Sequence, residues 1–322
     1  MFLYIIRRLL LMIPLVIGIS LISFGAMKLA PGDYVDQLKQ NPSIKPETLK
    51  RIRRDFGLDK PPIQQYGLWL YRATVKHDFG ESFTYHQPAF QLIGSRVYYT
   101  FILSFWSSLL SWLLAIPLGV YAATHRNSFG DRFWNFSAFA GISLPAFFLA
   151  LLALIFAQRT GWFPVGGAQS TNYDQLSQGG KILDTGKHLL LPTLVLGLGG
   201  VAGLMRQMRG NLLDVLSDNY ILAARARGVS ERRVVWKHAT RNALNPLITI
   251  AGAQLAGLLA GAALVEKVMA WPGLGRLLLE SVQNQDLYVA MASFVMGAVL
   301  LILGNLIADL LLVITDPRIK FS

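Results

Sequence analysis

The chain has 322 residues and a formal net charge of +12, and it contains no cysteine. Hydrophobic residues make up 53% of the chain and charged residues only 15%, whereas an ordinary soluble domain carries about 25% charged residues. The lack of cysteine excludes a disulfide framework, a thiolate metal site and a cysteine nucleophile. The low charged fraction argues against an ordinary soluble domain.

Charged residues are absent from six long runs of the sequence. Each run has 17 to 28 residues, and a helix needs roughly 20 apolar residues to cross a bilayer. We therefore predict an all-α polytopic membrane protein with six transmembrane helices. The runs are residues 9–27, 97–124, 133–158, 189–205, 242–265 and 287–308. Several contain proline, which membrane helices tolerate when neighbouring groups satisfy the freed carbonyls. These prolines are Pro14, Pro117, Pro145 and Pro192.

The basic residues are distributed unevenly between the two sides of this predicted bundle. Fourteen lysines and arginines lie at the two ends and in the loops after the second and fourth runs, whereas five lie in the short loops of the opposite side. The positive-inside rule then places both termini in the cytoplasm. The net charge therefore favours membrane lipid over nucleic acid as a partner. The predicted division is residues 1–30 as the N-terminal end and first span, 31–96 as an external loop, and 97–322 as a five-helix core with a cytoplasmic loop at about 206–244.

The external loop has the spacing of two short amphipathic helices. Leu49, Ile52 and Phe56 recur at helical spacing between Pro46 and Gly57. The same pattern returns at Tyr66, Trp69, Leu70 and Ala73. We predict that these helices lie on the outer membrane face and cover the mouth of the bundle.

Nothing in the sequence forms a catalytic or cofactor-binding constellation. The nearest approach to a nucleotide-binding loop, residues 180–188, has its first glycine one position too far away and His188 where the motif needs a hydroxyl residue. The five histidines are scattered, which does not favour a metal site. We therefore expect no cofactor and no metal in this chain, and no enzymatic activity.

Two other membrane functions remain as alternatives. A proton-coupled carrier needs a carboxylate at mid-membrane depth, and the acidic residues nearest to the spans lie at predicted helix ends. An intramembrane enzyme needs an activated nucleophile, and no histidine lies in mid-span beside the available serines. Those serines are Ser104, Ser107, Ser108, Ser111 and Ser143.

The cytoplasmic loop contains a basic helix–turn–helix pattern. Residues 220–227 are strong helix formers, Gly228 breaks that helix, and Ser230 is expected to cap a second helix with Glu231 in its first turn. Anchoring on anionic lipid requires positive charge alone. The small pair Ala223–Ala224 and the glycine turn favour instead a helix that fits a groove on another protein.

This loop resembles that of a known family. Residues 222–228, Leu-Ala-Ala-Arg-Ala-Arg-Gly, are similar to the Glu-Ala-Ala-x-x-x-Gly loop of ABC importer permeases, which docks on the ATPase subunit. Leu222 stands in place of the glutamate, and Thr240–Arg241 stands in place of a frequent Leu-Pro. Both departures are common in the peptide and nickel branch. The continuation of the loop at residues 238–246 is also similar to this branch. Further similarity, to the first of its two permease subunits, lies at residues 7–11, 29–33, 56–61, 78–82, 271–276 and 316–318.

The resemblance implies a type I ABC importer permease fold in the bacterial cytoplasmic (inner) membrane. It also implies a heterodimer with a second permease subunit, two ABC ATPase subunits that bind ATP and Mg, and an external substrate-binding protein. Di- or oligopeptides are the implied substrates, with nickel chelates or glutathione as alternatives. The implied ATPase-coupling residues are Leu222, Ala223, Ala224, Arg225, Arg227, Gly228, Ser230, Glu231 and Arg232.

Overall fold

The computed structural model describes residues 2–39 and 44–315. Every regular element in these two ranges is a helix, which confirms the predicted all-α class. The α-helices in chain order are α1 (Phe2–Leu29), α2 (Tyr34–Leu38), α3 (Pro46–Asp55), α4 (Pro62–Val75), α5 (Ala89–Thr124), α6 (Phe129–Ser143), α7 (Ala146–Thr160), α8 (Gln178–Leu216), α9 (Asn219–Ala226), α10 (Glu231–Arg233), α11 (Thr240–Ala243), α12 (Asn245–Val268), α13 (Leu274–Gln283) and α14 (Leu287–Thr315). A 3₁₀ turn covers Tyr173–Gln175, and a π-helix covers Val234–Ala239.

Four helices of the described chain are long and apolar enough to cross a membrane. They contain the first, second, fourth and sixth of the predicted spans, and their candidate ranges are Ile6–Leu38, Ala89–Thr124, Gln178–Leu216 and Leu287–Ile307. Four of the six predicted spans are therefore confirmed by length and composition. The second and third of these helices, Ala89–Thr124 with 36 residues and Gln178–Leu216 with 39, extend beyond their uncharged runs.

The third and fifth predicted spans differ from this pattern. The third run forms two helices of 15 residues each, α6 and α7, which are separated at Leu144 and Pro145. Leu144 is extended, with φ −96° and ψ 127°, because the ring of a following proline disfavours helical backbone. The fifth run lies in α12, which has 24 residues; its side chains at 251–261 lie outside the described residues. Six spans therefore stay a prediction.

One compact unit comprises Met1–Thr100 and Pro272–Ile302. Both predicted amphipathic helices of the external loop are present there, as α3 and α4. Trp69 of α4 is 4% exposed and packs with Phe24, Phe83 and Met291 in one apolar cluster. The N-terminal helix, the loop and the start of α14 thus share a core. That α3 and α4 cover the mouth of the bundle stays a prediction.

Polar contacts in this unit join segments that are distant in the sequence. The carboxylate of Asp286, which is 1% exposed, accepts hydrogen bonds from Ser82 Oγ at 2.6 Å and from the Thr84 N–H at 3.1 Å. The Tyr288 hydroxyl donates to the Phe56 carbonyl at 2.9 Å. Burial of Asp286 is therefore matched by donors, and these bonds fix residues 78–84 to the segment that begins α14.

The other compact unit comprises Phe101–Trp271 and Leu303–Ser322. In this unit, helices α5 and α8 approach each other closely because each places a glycine against a bulky side chain of the other. A Cβ atom added to Gly197 would lie 2.7 Å from Leu110, and one added to Gly119 would lie 2.7 Å from Met208. Ser111 Oγ donates to the Gly197 carbonyl at 2.7 Å. Small residues permit such close approach of the backbones in membrane helices. The loop described next follows α8 and packs against both helices.

Candidate functional site

The loop after α8 has the predicted form of a helix, a glycine turn and a second helix. Helix α9 ends at Ala226, and Gly228 has φ +75°. The Gly228 N–H donates to the Arg225 carbonyl at 2.9 Å and the Val229 N–H to the Ala224 carbonyl at 3.2 Å. These two bonds form a Schellman motif, in which glycine adopts the left-handed conformation without the steric cost of a Cβ. The prediction that Gly228 ends the helix is therefore confirmed.

The prediction that Ser230 caps the second helix through its side chain is wrong. Ser230 occupies the N-cap position of α10, but its hydroxyl makes no capping hydrogen bond. Its backbone carbonyl instead accepts from the N–H groups of Arg233 and Val234, at 2.9 and 3.0 Å. The N–H that a capping hydroxyl would bind, that of Arg233, is thus already satisfied by backbone. Glu231 does lie in the first turn, as predicted.

Glu231 also forms an ion pair across the glycine turn. Arg225 donates to its carboxylate from Nε at 3.0 Å and from Nη2 at 2.6 Å. These hydrogen bonds lower the pKa of Glu231 from its ordinary value, and the same pairing raises the pKa of Arg225. The pair has bidentate geometry and links α9 to α10 across the turn, although it is exposed to solvent.

We expect Glu231→Gln to change the stability of the protein very little. The Glu231 side chain is 61% exposed, and exposed ion pairs contribute about 0–1 kcal/mol. The thermal unfolding midpoint in detergent is the measurement, and Asp55→Asn, which removes the exposed Arg51–Asp55 pair, is the matched control. A much larger fall for Glu231→Gln than for Asp55→Asn would contradict this prediction.

One face of the loop is anchored in an apolar cluster. Ile221, Val234 and Ala239 are fully buried. They pack with residues from the C-terminal halves of α5 and α8, among them Val120, Met205, Met208 and Leu212. Fixing one face against two long helices means that a displacement of the loop is passed to those helices, since a close-packed core transmits strain.

The opposite face of the loop is open to solvent. Among the nine predicted coupling residues only Ala224 is half-buried and packed against the apolar cluster. Leu222 is an exposed large apolar residue, at 52% of its full exposure. The other seven are exposed, namely Ala223, Arg225, Arg227, Gly228, Ser230, Glu231 and Arg232. The structure therefore brings the predicted residues onto one accessible basic and apolar surface, as a protein contact requires.

Three further residues extend this surface. Trp236 is 49% exposed and Tyr220 is 42% exposed, and Asn242 Nδ2 donates to the Tyr220 hydroxyl at 2.6 Å. Trp236 also lines an open groove of about 510 Å³ beside the end of α5, together with Arg225 and Arg232. Tryptophan and tyrosine are enriched in protein interfaces. The presence of these residue types in the basic loop is the sequence signal that could have added Tyr220 and Trp236 to the predicted coupling residues.

Metal ligands are not clustered in the described part of the chain. No group of three His, Asp or Glu side chains lies close enough there to hold an ion.

Two family models match the chain. Residues 115–321 match the family described as binding-protein-dependent transport system inner membrane component, and residues 1–104 match its N-terminal part. The chain belongs to this family. It is therefore a multi-pass permease subunit of an ABC importer in the inner membrane, as the sequence predicted.

Relatives of this permease match over nearly their whole length. The chain is 41% identical to the oligopeptide transport system permease protein AppB of Bacillus subtilis over 320 residues, which is 99% of both chains. It is 36% identical to the glutathione transport system permease protein GsiC of Escherichia coli, again over 99% of both.

The fold of the permease is similar to that of a solved transporter. The inward-facing structure of the MetNI methionine ABC transporter contains a chain that superposes with a TM-score of 0.55 at 18% identity. The similarity covers 70% of this permease and 97% of that chain. It supports the predicted type I importer permease fold.

Proposed function

We propose that this permease forms half of the translocation pathway of an ATP-driven importer of di- and oligopeptides. The observation that carries this proposal is the 41% identity, over 99% of both chains, to a permease named for oligopeptide transport. Glutathione is the second candidate because a glutathione permease matches at 36% over the same length, and glutathione is itself a small peptide.

The partners follow from what the chain does not supply. Its sequence has no nucleotide-binding loop, so we place ATP and Mg in two separate ABC ATPase subunits. A second homologous permease completes the pathway, and an external binding protein delivers the substrate. Both termini and the loop at about 206–244 lie on the cytoplasmic side in this proposal, with residues 31–96 outside, as the positive-inside rule favours.

The exposed face of α9 and α10 is the proposed contact with an ATPase. Leu222 and the small Ala223 are exposed apolar residues in the same segment as the exposed Arg225 and Arg227, while the buried Ile221 and Val234 fix the loop to α5 and α8. When the ATPases close on ATP, they move this loop, and the anchored helices move with it as a rigid body. The bundle then changes from inward-facing to outward-facing.

Cross-linking tests the proposed contact directly. The chain contains no cysteine, so Leu222→Cys creates a single thiol on an exposed position in an unmodified background. We expect a thiol cross-linker to join Leu222→Cys to an ATPase subunit in native membranes. Lys76→Cys, at an exposed position after α4, is the matched control and should give no ATPase adduct.

The same two variants test the orientation in intact cells. A membrane-impermeant maleimide added from outside is expected to label Lys76→Cys and to leave Leu222→Cys unlabelled until the membrane is broken. Labelling of Leu222→Cys from outside would overturn the proposed topology.

Uptake into proteoliposomes that contain the complete transporter tests the substrate. We expect ATP-dependent accumulation of a labelled oligopeptide that excess unlabelled oligopeptide suppresses and excess glutathione does not. Suppression by glutathione alone would replace the first candidate by the second.

A further inference from the structure

A partly buried ion pair joins α6 to α8 close to the exposed loop. Asp131, in the first turn of α6, is 3% exposed. Its two carboxylate oxygens accept from Arg209 of α8, from Nε at 2.8 Å and from Nη2 at 2.9 Å. They also accept from Asn135 Nδ2 at 2.6 Å and from the Asn127 N–H at 3.0 Å. The carboxylate is thus bound by four donors.

The Asp131–Arg209 pair stands where three helices meet. Arg209 lies two turns before α8 ends at Leu216 and the loop begins. The start of α6 also packs closely against α5. The space beside Gly130 is filled by Tyr121, since a Cβ atom added to Gly130 would lie 2.5 Å from the Tyr121 hydroxyl. On the far side of α8, Asn211 Nδ2 donates to the Ala243 carbonyl of α11 at 3.1 Å. Two residues within one turn of α8, Arg209 and Asn211, therefore bind α6 and the segment that follows the loop.

Stability alone does not account for such a pair. Removing two charges from water is costly, and apolar residues of similar volume often stabilise a protein as well as a buried ion pair does. The apolar cluster around Met205, Met208 and Leu212 already holds α8 to α5 and to the loop. Apolar packing has little directional preference, however, whereas a bidentate arginine–carboxylate pair sets both register and orientation.

We propose that Asp131 and Arg209 are positioning residues for energy coupling: they lock α6 to the end of α8, so that movement of the loop at 219–243 displaces α6 instead of sliding α8 past it. This rests on the proposed function of the loop. The hydrogen bonds from Arg209 lower the pKa of Asp131 from its ordinary value, and the pair therefore stays charged at neutral pH.

The test measures peptide transported per ATP hydrolysed by the complete transporter in proteoliposomes. Arg209→Lys keeps the charge and loses the bidentate geometry. The double variant Asp131→Leu with Arg209→Met keeps the volume and removes both charges, so neither partner is left buried and unpaired. We expect both to insert and assemble, and to lower the transport-to-hydrolysis ratio by about 5-fold or more, while binding-protein-stimulated ATP hydrolysis continues.

The matched control is Arg276→Lys. Arg276 Nε donates to Glu280 at 2.7 Å in an ion pair of similar length and partial burial, which belongs to the other compact unit. We expect its ratio to equal that of the wild type. A purely structural role for Asp131 and Arg209 would lower the amount of assembled transporter and leave the ratio per assembled complex unchanged.

Three outcomes overturn the proposal. A normal ratio in both variants removes the positioning role, as does a fall that Arg276→Lys reproduces. Failure of both variants to assemble assigns the pair to folding instead. The proposed function fails in a different way, because the wild-type transporter itself would then show no ATP-driven uptake.

Discussion

Replacing Gly228 with proline is expected to abolish most ATP-driven uptake while leaving insertion intact. Gly228 has φ +75°, and proline fixes φ near −65°. The substitution also removes the N–H that bonds to the Arg225 carbonyl. The angle between α9 and α10 must then change, and the Arg225–Glu231 pair cannot keep its geometry. We expect the uptake rate to fall by about 10-fold or more, within the range of typical coupling free energies.

Insertion and packing are expected to survive because Gly228 lies in open space. No neighbouring atom lies within 4 Å of a Cβ placed there, and Gly228 is exposed, whereas Ile221 and Val234 are the buried residues that anchor the loop. Membrane-fraction amounts and co-purification of the partner subunits therefore report insertion and assembly separately from uptake.

Gly161→Pro is the matched control for this variant. Gly161 ends α7 with φ +67°, also in open space, and its N–H donates to the Ala157 carbonyl at 2.9 Å. The backbone strain and the lost hydrogen bond are therefore similar, but the residue is outside the loop. We expect Gly161→Pro to retain most of the uptake. Equal losses in both variants would show that strain, and not the position in the loop, causes the defect.

The features that the sequence predicted correctly are local ones. Leu49, Ile52 and Phe56 predict the amphipathic helix α3 through their spacing alone, and Gly57 ends it with φ +65°. Gly228 predicts a helix end in the same way, because only glycine adopts a left-handed conformation without strain. Periodicity and turn chemistry depend on a few neighbouring residues, which the sequence displays directly.

The features that sequence analysis missed depend on contacts between residues far apart in the chain, or on two groups that compete for one hydrogen bond. Asp131 pairs with Arg209 across 78 positions, and Ser82 with Asp286 across 204. Periodicity tells which face of a helix is buried but not which residue covers it. For Ser230, a backbone carbonyl satisfied the N–H that a side-chain cap would bind. Neither the composition nor the residue spacing of the sequence indicates the π-helix at Val234–Ala239.

Gly80→Ala is expected to have the largest effect on stability in the compact unit that contains α3 and α4. Gly80 has φ +94°, and a Cβ there would lie 2.7 Å from Cγ and 2.9 Å from Cδ2 of Tyr288. The Tyr288 ring cannot move away easily, because its hydroxyl donates to the Phe56 carbonyl and the ring forms a T-shaped contact with Phe83 at a centroid distance of 5.1 Å. The variant therefore combines backbone strain with overpacking.

A second glycine variant, Gly57→Ala, separates the cost of backbone strain from the cost of overpacking. Left-handed backbone costs a residue with a Cβ about 1–2 kcal/mol, and overpacking costs about 1–3 kcal/mol, so we expect Gly80→Ala to destabilise by about 2–5 kcal/mol. Gly57 has φ +65° and open space around its Cβ position, so Gly57→Ala should show the strain alone. Thermal unfolding midpoints of the two variants in the same detergent decide the matter. Equal midpoints would mean that Tyr288 yields to the added methyl group, and that its bond to Phe56 does not hold the segment after α3 against the start of α14.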